Sequence, residues 1–255
     1  MGPPNYFSHV SAAERYAKFR PYFHPVVMER LVEFTGCARF GSALDVGCGT
    51  GLSTRALAEI SDWVAGVDNS AGMLALAPKL PNVVYQQAAA ESLPYPPACF
   101  DLVTVCQAFH WFDQDKFLRE AHRVLKPRSW LLIYNNVFLG AMRGCPEFKR
   151  WMDEVYLKKY LTTPRARKKL TADYADENGF VLAHAENYPN EISLSRGQLA
   201  GFFQSQSNVI AFVEQGNENI ADVAAWIDQG LAPFFAESPR ALQFVSDIWY
   251  LQKKR

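Results

Sequence analysis

The chain has 255 residues, 49% hydrophobic and 20% charged, and its 26 basic and 26 acidic side chains cancel to a net charge of zero. That length admits one large α/β domain, or one domain carrying an appended cap, and the composition is that of a soluble globular protein. Zero net charge argues against nucleic acid as the main partner, because a domain-wide basic excess is the usual footprint.

Five cysteines, Cys37, Cys48, Cys99, Cys106 and Cys145, are widely spaced with no C-x-x-C pair. They support neither a zinc site nor a disulfide framework, so no metal is expected and a reducing cytosol fits. The opening MGPPNYFSHV has no basic n-region or apolar h-region of a secretory signal. Tyr6 stands where N-myristoylation wants Ser or Thr. No apolar run approaches the length of a membrane span. The expectation is a soluble, cytoplasmic protein that does not engage a membrane.

In chain order, Ser11 to Cys37 reads as two helices broken at Arg20-Pro21. From Ser42 to Asn136 short apolar runs alternate with amphipathic stretches, the pattern of βαβ units and a parallel sheet. Strands are expected at Ala43 to Val46, Trp63 to Val67, Val83 to Gln87, Leu102 to Val105 and Trp130 to Tyr134. Between them, helices are expected at Leu52 to Ile60, Gly72 to Ala77 and Phe117 to Leu125, the last stopped by Lys126-Pro127. Gly140 to Leu170 reads as helical, with the run Arg165-Ala166-Arg167-Lys168-Lys169 as a solvated face. Phe180 to Leu194 reads as extended chain, Leu199 to Phe212 and Ile220 to Phe235 as helices, and Gln243 to Leu251 as a final strand. His9 and His24 read as surface or capping residues.

The strongest signal is ALDVGCGTGLSTRALAEI, in which a strand runs into Gly47, Gly49 and Gly51 and a helix opens at once. Glycines at such a turn permit positive φ and close approach of backbone to a ligand, and the helix beyond offers free N–H groups. Dinucleotide sites use G-x-G-x-x-G; here the spacing is G-x-G-x-G with Asp45 two places ahead of the first glycine. An anionic Asp45 is a poor neighbour for a pyrophosphate and suits an ammonium or sulfonium. Asp68 ends the next strand, where an acid accepts ribose hydroxyls. The pair points to a nucleoside carrying positive charge. A second cluster, CQAFHWFD, follows the fourth strand at Cys106 to Asp113. Ligands in open α/β sheets lie beyond the carboxyl ends of the strands, which puts His110 and Trp111 at the site and makes Asp113 the cap of the next helix.

These residues resemble the class I S-adenosylmethionine-dependent methyltransferases. LDVGCGTG matches their first motif, GVDNSAGML the second, AAAESLPYPPACFDLVTV the adenine loop and fourth strand, and RVLKPRSWLLIY the entry to the fifth strand, with KPRS where KPGG is usual. Within the class the chain is similar to the type 11 group, and AFHWFD to trans-aconitate methyltransferase-like small-molecule enzymes. The resemblance implies a Rossmann-like, seven-stranded, mostly parallel sheet with helices on both faces. It also implies N-terminal lid helices over residues 1–37, and a methyltransferase domain over 38–255 with a helical cap inserted around 138–235.

It further implies S-adenosyl-L-methionine as cofactor, with Gly47, Gly49 and Gly51 beneath the methionine part and Asp45 near its ammonium. Asp68 would hold the ribose, Asn69 and Met73 would border the adenine, and Ala90 and Glu91 would meet its edge. Gln107 would give its carbonyl to the ammonium, Arg20 would meet the carboxylate, and Tyr16 and Phe19 would cover it. His110 and Trp111 would line the acceptor site, with His110 a base only for a neutral hydroxyl. Phe138, Trp151, Tyr156, Tyr160, Phe202, Phe203 and Phe212 would wall a small acceptor. The expected reaction is methylation of a small molecule at a carboxylate or phenol oxygen by a monomer or homodimer. The alternatives are C- or N-methylation, a tRNA or protein substrate, a nicotinamide site, and a cofactor-binding scaffold without catalysis.

Overall fold

The computed structural model describes residues 10–162, 168–236 and 239–255, so the expectations placed on the opening segment through His9 and on Arg165 to Arg167 lie outside the described residues. Seven strands form one sheet in the order β3-β2-β1-β4-β5-β7-β6. They are β1 Phe40–Val46, β2 Ser61–Asp68, β3 Val83–Gln87, β4 Phe100–Cys106, β5 Leu125–Met142, β6 Phe180–Leu194 and β7 Arg240–Lys253. The pairings β1-β2, β2-β3, β1-β4 and β4-β5 are parallel. The order reverses between β1 and β4, and ligands of open α/β sheets bind beyond the carboxyl ends of strands at such a switch point. The Gly47 turn leaves β1 and the Gln107 segment leaves β4 at that end.

Eleven α-helical segments occur among the described residues: α1 Val10–Phe19, α2 His24–Thr35, α3 Leu52–Glu59, α4 Ala71–Leu74, α5 Gln114–Val124, α6 Pro146–Trp151, α7 Leu157–Lys159, α8 Ala172–Glu177, α9 Arg196–Gln204, α10 Ser207–Glu214 and α11 Ile220–Leu231. Contacts divide the chain into two compact units, one of residues 22–135, 165–187 and 247–255, the other of 1–21, 136–164 and 188–246.

In the first of these units the sheet is buried on both faces, as parallel strands flanked by helices require. Alternation along each strand sorts its side chains. Leu44, Val46, Ala65, Val67, Val103, Val105, Leu131 and Ile133 pack with Phe117, Leu118, Ala121 and Val124 of α5 and Tyr174 and Ala175 of α8. Ala43, Val64, Leu102, Leu132 and Tyr134 pack instead with Val27, Met28 and Leu31 of α2 and Ala56 and Leu57 of α3. The helix α5 buries positions at helical spacing, and Asp113 caps it, accepting from the Lys116 N–H at 3.2 Å as the sequence suggested. The helix α4 is shorter than expected, ending at Leu74 with Ala75 as its C-cap.

Three other expectations need correction. Helix was expected from Gly140, yet β5 runs on to Met142 and α6 starts at Pro146, a residue preorganised for a first helical turn. Leu199 to Phe212 is two helices, α9 and α10, broken at Ser205-Gln206. His24 is neither surface nor cap: it is 5% exposed at the start of α2, with Nδ1 3.1 Å from the Tyr134 hydroxyl. Burial and the nearby Arg55 push its pKa down to about 3, so the imidazole is neutral.

The second unit has its own core, in which Tyr156, Tyr160, Phe202 and Phe203 are buried and Phe138, Trp151 and Phe212 pack against them. A π-helical turn, Met152–Tyr156, joins α6 to α7. The ring of Phe19 lies against Gly201 of α9, where a Cβ would fall 2.2 Å from it. The strand β6 ends the sheet order and carries an exposed Pro189 within its 15 residues.

Candidate active site

The first shaping element is the turn after β1. Gly47, Gly49 and Gly51 have φ of 69°, 55° and 77°, all in the left-handed region that side chains resist. Space excludes side chains as well. A Cβ on Gly47 would sit 2.6 Å from Ala108 Cβ and 3.0 Å from the Phe112 ring, and one on Gly51 would sit 2.7 Å from the Tyr85 hydroxyl. The N–H groups of Gly47 and Cys48 both donate to Val67 O, at 2.8 and 3.0 Å, which pins the turn to β2. Gly51 caps α3 without a side chain, so the first N–H groups of that helix keep no cap of their own.

Two carboxylates hold the turn from below and beside. Asp45 is fully buried; its Oδ2 accepts from Ser53 at 2.6 Å and Thr54 at 2.7 Å, and its Oδ1 from Thr104 at 3.0 Å. Burial pushes its pKa up to about 6, against the pull of the three hydroxyls. Asp68 accepts from the Gly49 N–H on Oδ2 and from the Ser70 N–H on Oδ1, each at 2.9 Å. Burial raises its pKa too, and those backbone donors hold it back. One carboxylate therefore ties β1, α3 and β4 together, while the other spans the turn and the start of α4. Thr50, 3% exposed, keeps a buried hydroxyl with no protein partner.

The other expected cofactor residues fall into two groups. Met73 is buried with its methyl 3.1 Å from where a Gly49 Cβ would be. Asn69 is exposed, and its carbonyl accepts from Gln87 at 2.9 Å. Ala90 is buried, and Glu91 accepts the Asp113 N–H at 2.8 Å, so the adenine-loop residues reach the CQAFHWFD segment directly. Arg20 belongs to the other unit, where it donates to Ser205 O at 2.8 Å with its guanidinium over the rings of Tyr16 and Phe202.

Gln107 has φ +52°, an uncommon state for a residue with a Cβ, and its N–H donates to Tyr134 O at 3.0 Å. Such strain persists where the surroundings impose it, most often at binding sites. Beyond it Ala108 and Phe112 press on Gly47, while Phe109 and Phe112 pack on Phe117 of α5. The rings of His110 and Trp111 lie 5.2 Å apart. His110 borders a cavity of about 270 Å³ with apolar Phe109, Leu170 and Trp249 and polar Gln114, Asn135, Lys168 and Lys169. Lys168 is paired with Asp115 at 2.6 Å.

Sequence reasoning missed Ser53, Thr54 and Thr104; a threonine inside the otherwise apolar fourth strand was the available signal. It also missed Lys169 and Trp249, which reach the cavity from distant segments. The residues present fit a nucleoside that carries positive charge: three side-chain-free turn positions, an orphaned Thr50 hydroxyl and an acid at the end of β2.

Comparison with known proteins agrees. Residues 44–133 match the family described as methyltransferase domain. A Dictyostelium discoideum protein named as a methyltransferase is 28% identical over 217 residues, covering 82% of this chain and 80% of the relative. The ubiquinone/menaquinone biosynthesis C-methyltransferase UbiE of a Shewanella species is 30% identical over 189 residues, covering 68% and 70%. Matches to uncharacterised methyltransferases of fission yeast, Mycobacterium tuberculosis and Bacillus subtilis span about half of each relative. A solved Anaeromyxobacter dehalogenans structure described as a type II methyltransferase superposes with a TM-score of 0.69 at 26% identity, over 92% of this chain and 98% of that one. The chain belongs to the class I S-adenosylmethionine-dependent methyltransferases.

Proposed function

We propose that this enzyme methylates a small-molecule acceptor at a carboxylate or phenol oxygen, with S-adenosyl-L-methionine as donor. The observation that carries the reading is the cavity beside His110, whose apolar walls meet a rim of amide, imidazole and ammonium groups. When bound, the cofactor supplies a methyl group on a sulfonium. The turn at Gly47, Gly49 and Gly51 holds it by backbone, Asp68 takes its ribose, Asn69, Met73, Ala90 and Glu91 bound its adenine, and Gln107 offers a carbonyl to its ammonium. Asp45 acts on the ammonium through its charge, since its oxygens are taken by hydroxyls. The assignment of Arg20 to the carboxylate rests on the sequence resemblance.

On the acceptor side, a carboxylic acid is already ionised near neutrality, so no proton has to be removed. His110 then donates to and orients the acceptor oxygen. The apolar walls Phe109, Leu170 and Trp249 exclude water, Trp111 being assigned to the acceptor side by the sequence resemblance alone, and Lys169 supplies positive charge, Lys168 being committed to Asp115. Fixing the acceptor in line with the methyl group is worth several kcal/mol. A second reading, methylation at carbon, is favoured by the Shewanella relative, a C-methyltransferase. Incubating the enzyme with methyl-labelled cofactor and a panel of carboxylates, phenols and carbon nucleophiles separates the two. An ester product releases its label as methanol in mild base; ethers and carbon-methylated products keep it. Turnover confined to base-stable, carbon-methylated products refutes the oxygen assignment.

A further inference from the structure

Both residues that frame the strained Gln107 turn their polar side-chain atoms onto one nitrogen. Cys106 precedes it, and its Sγ lies 3.7 Å from His24 Nδ1. Tyr134 accepts the Gln107 N–H on its carbonyl, and its hydroxyl lies 3.1 Å from the same Nδ1. The strands β4 and β5 bring this about, because Cys106, at the carboxyl end of β4, is the register partner of Tyr134 within β5. His24 enters from the first turn of α2, with its ring 4.3 Å from that of Phe23 and edge-on to Tyr134. All of these residues lie in one unit.

We propose that His24 is a positioning residue: through Tyr134 and Cys106 it fixes the left-handed Gln107, and so the carbonyl that meets the methionine end of the cofactor. The imidazole is neutral in its buried place, and the tautomer with its proton on Nε2 leaves Nδ1 to accept the Tyr134 hydroxyl 3.1 Å away. A tyrosine held at both its carbonyl and its hydroxyl cannot rotate or slide along the sheet. Gln107, which leans on that carbonyl, is thereby denied the relaxation to negative φ that its Cβ favours. Tyr134 and His24 are both buried and act through Gln107.

The inference rests on the reading that Gln107 faces the cofactor's amino-acid part, and two ligands separate the claims. S-adenosylhomocysteine carries that part, whereas 5′-methylthioadenosine keeps the nucleoside and lacks it. Calorimetry on Tyr134→Phe and His24→Leu should show S-adenosylhomocysteine binding weakened about tenfold, with methylthioadenosine changed less than about twofold. His24→Gln, which keeps an acceptor for the hydroxyl, should recover most of the loss. Tyr134→Phe removes a single oxygen and carries the test if His24→Leu does not fold. Equal weakening of both ligands makes the cluster a general support of the fold and overturns the proposal, as does unchanged S-adenosylhomocysteine affinity in folded Tyr134→Phe. A wild-type protein that binds neither ligand sinks the cofactor reading itself, and the proposal with it.

Discussion

Asp45→Asn turns the buried carboxylate under the glycine turn into a group that cannot titrate. In the wild type that carboxyl is pushed from 3.8 up to about 6, a preference for the protonated form of about 3 kcal/mol. The sign follows from proton counting. Between these two values the folded chain holds a proton that the unfolded chain has released, so stability is highest below the lower one. It falls as pH rises through the folded value, and is flat beyond it. Asparagine keeps the shape, with its carbonyl accepting from Ser53 and Thr54 and its amide meeting a Thr104 hydroxyl turned to accept. The two proteins should therefore match near pH 4, and the variant should lead by up to about 3 kcal/mol at pH 7. Urea unfolding midpoints measured every half pH unit give both curves. Asp101 and Glu120 are shifted as well, but they titrate in both proteins and cancel in the difference, whereas Asp68, coupled to Asp45 by charge, leaves a smaller remainder in it. Curves that stay parallel from pH 4 to 7 would mean that Asp45 does not titrate there, and the argument from burial would be wrong.

Asp68→Ala should weaken S-adenosylhomocysteine binding on the order of a hundredfold, because it removes the ribose acceptor and releases the Gly49 and Ser70 N–H groups; undiminished affinity in calorimetry removes the ribose assignment. His110→Ala should slow an acidic acceptor about tenfold with an unchanged pH profile, whereas a loss near a hundredfold that abolishes a rise of the rate with pH would make His110 the base. Arg128→Gly should raise stability by about 1 kcal/mol, since residue 128 sits at φ +65° beside the register shift of β4 and β5; a lowered unfolding midpoint would show that the arginine side chain outweighs its backbone strain.

The glycine turn was legible because its chemistry is local: three glycines at alternate positions leave few other uses, and a carboxylate at each strand end narrows the ligand. The parallel core was legible for a similar reason, as runs such as Leu102 to Val105 are apolar throughout and bounded by polar residues. Asp113 announced α5 by its own side chain. What stayed hidden depends on residues meeting across the fold. His24 sits between Phe23 and Pro25, a context that reads as surface until β5 brings Tyr134 against it. The length of β5 was masked by Lys126-Pro127-Arg128, which looks like a break and is an irregular strand entry. The cavity near His110 draws Lys169 from a segment after the mid-chain helices and Trp249 from the last strand, and no periodicity links those positions.

Pro189, exposed within the terminal strand β6, bears on how this chain behaves at high concentration. A long outer strand is an open template on which a second copy could lay its own backbone, and growth by such templating ends in fibres. Proline has no N–H to offer there, and on an outer strand its ring projects where an incoming chain would have to lie. Pro189 is the tenth of the 15 residues, so it divides the outer strand into runs of nine and five and denies an intruder the full length. Pro189→Val would restore the missing donor at little cost to the isolated molecule, and the damage would surface in storage and overexpression, as light scattering that rises with time.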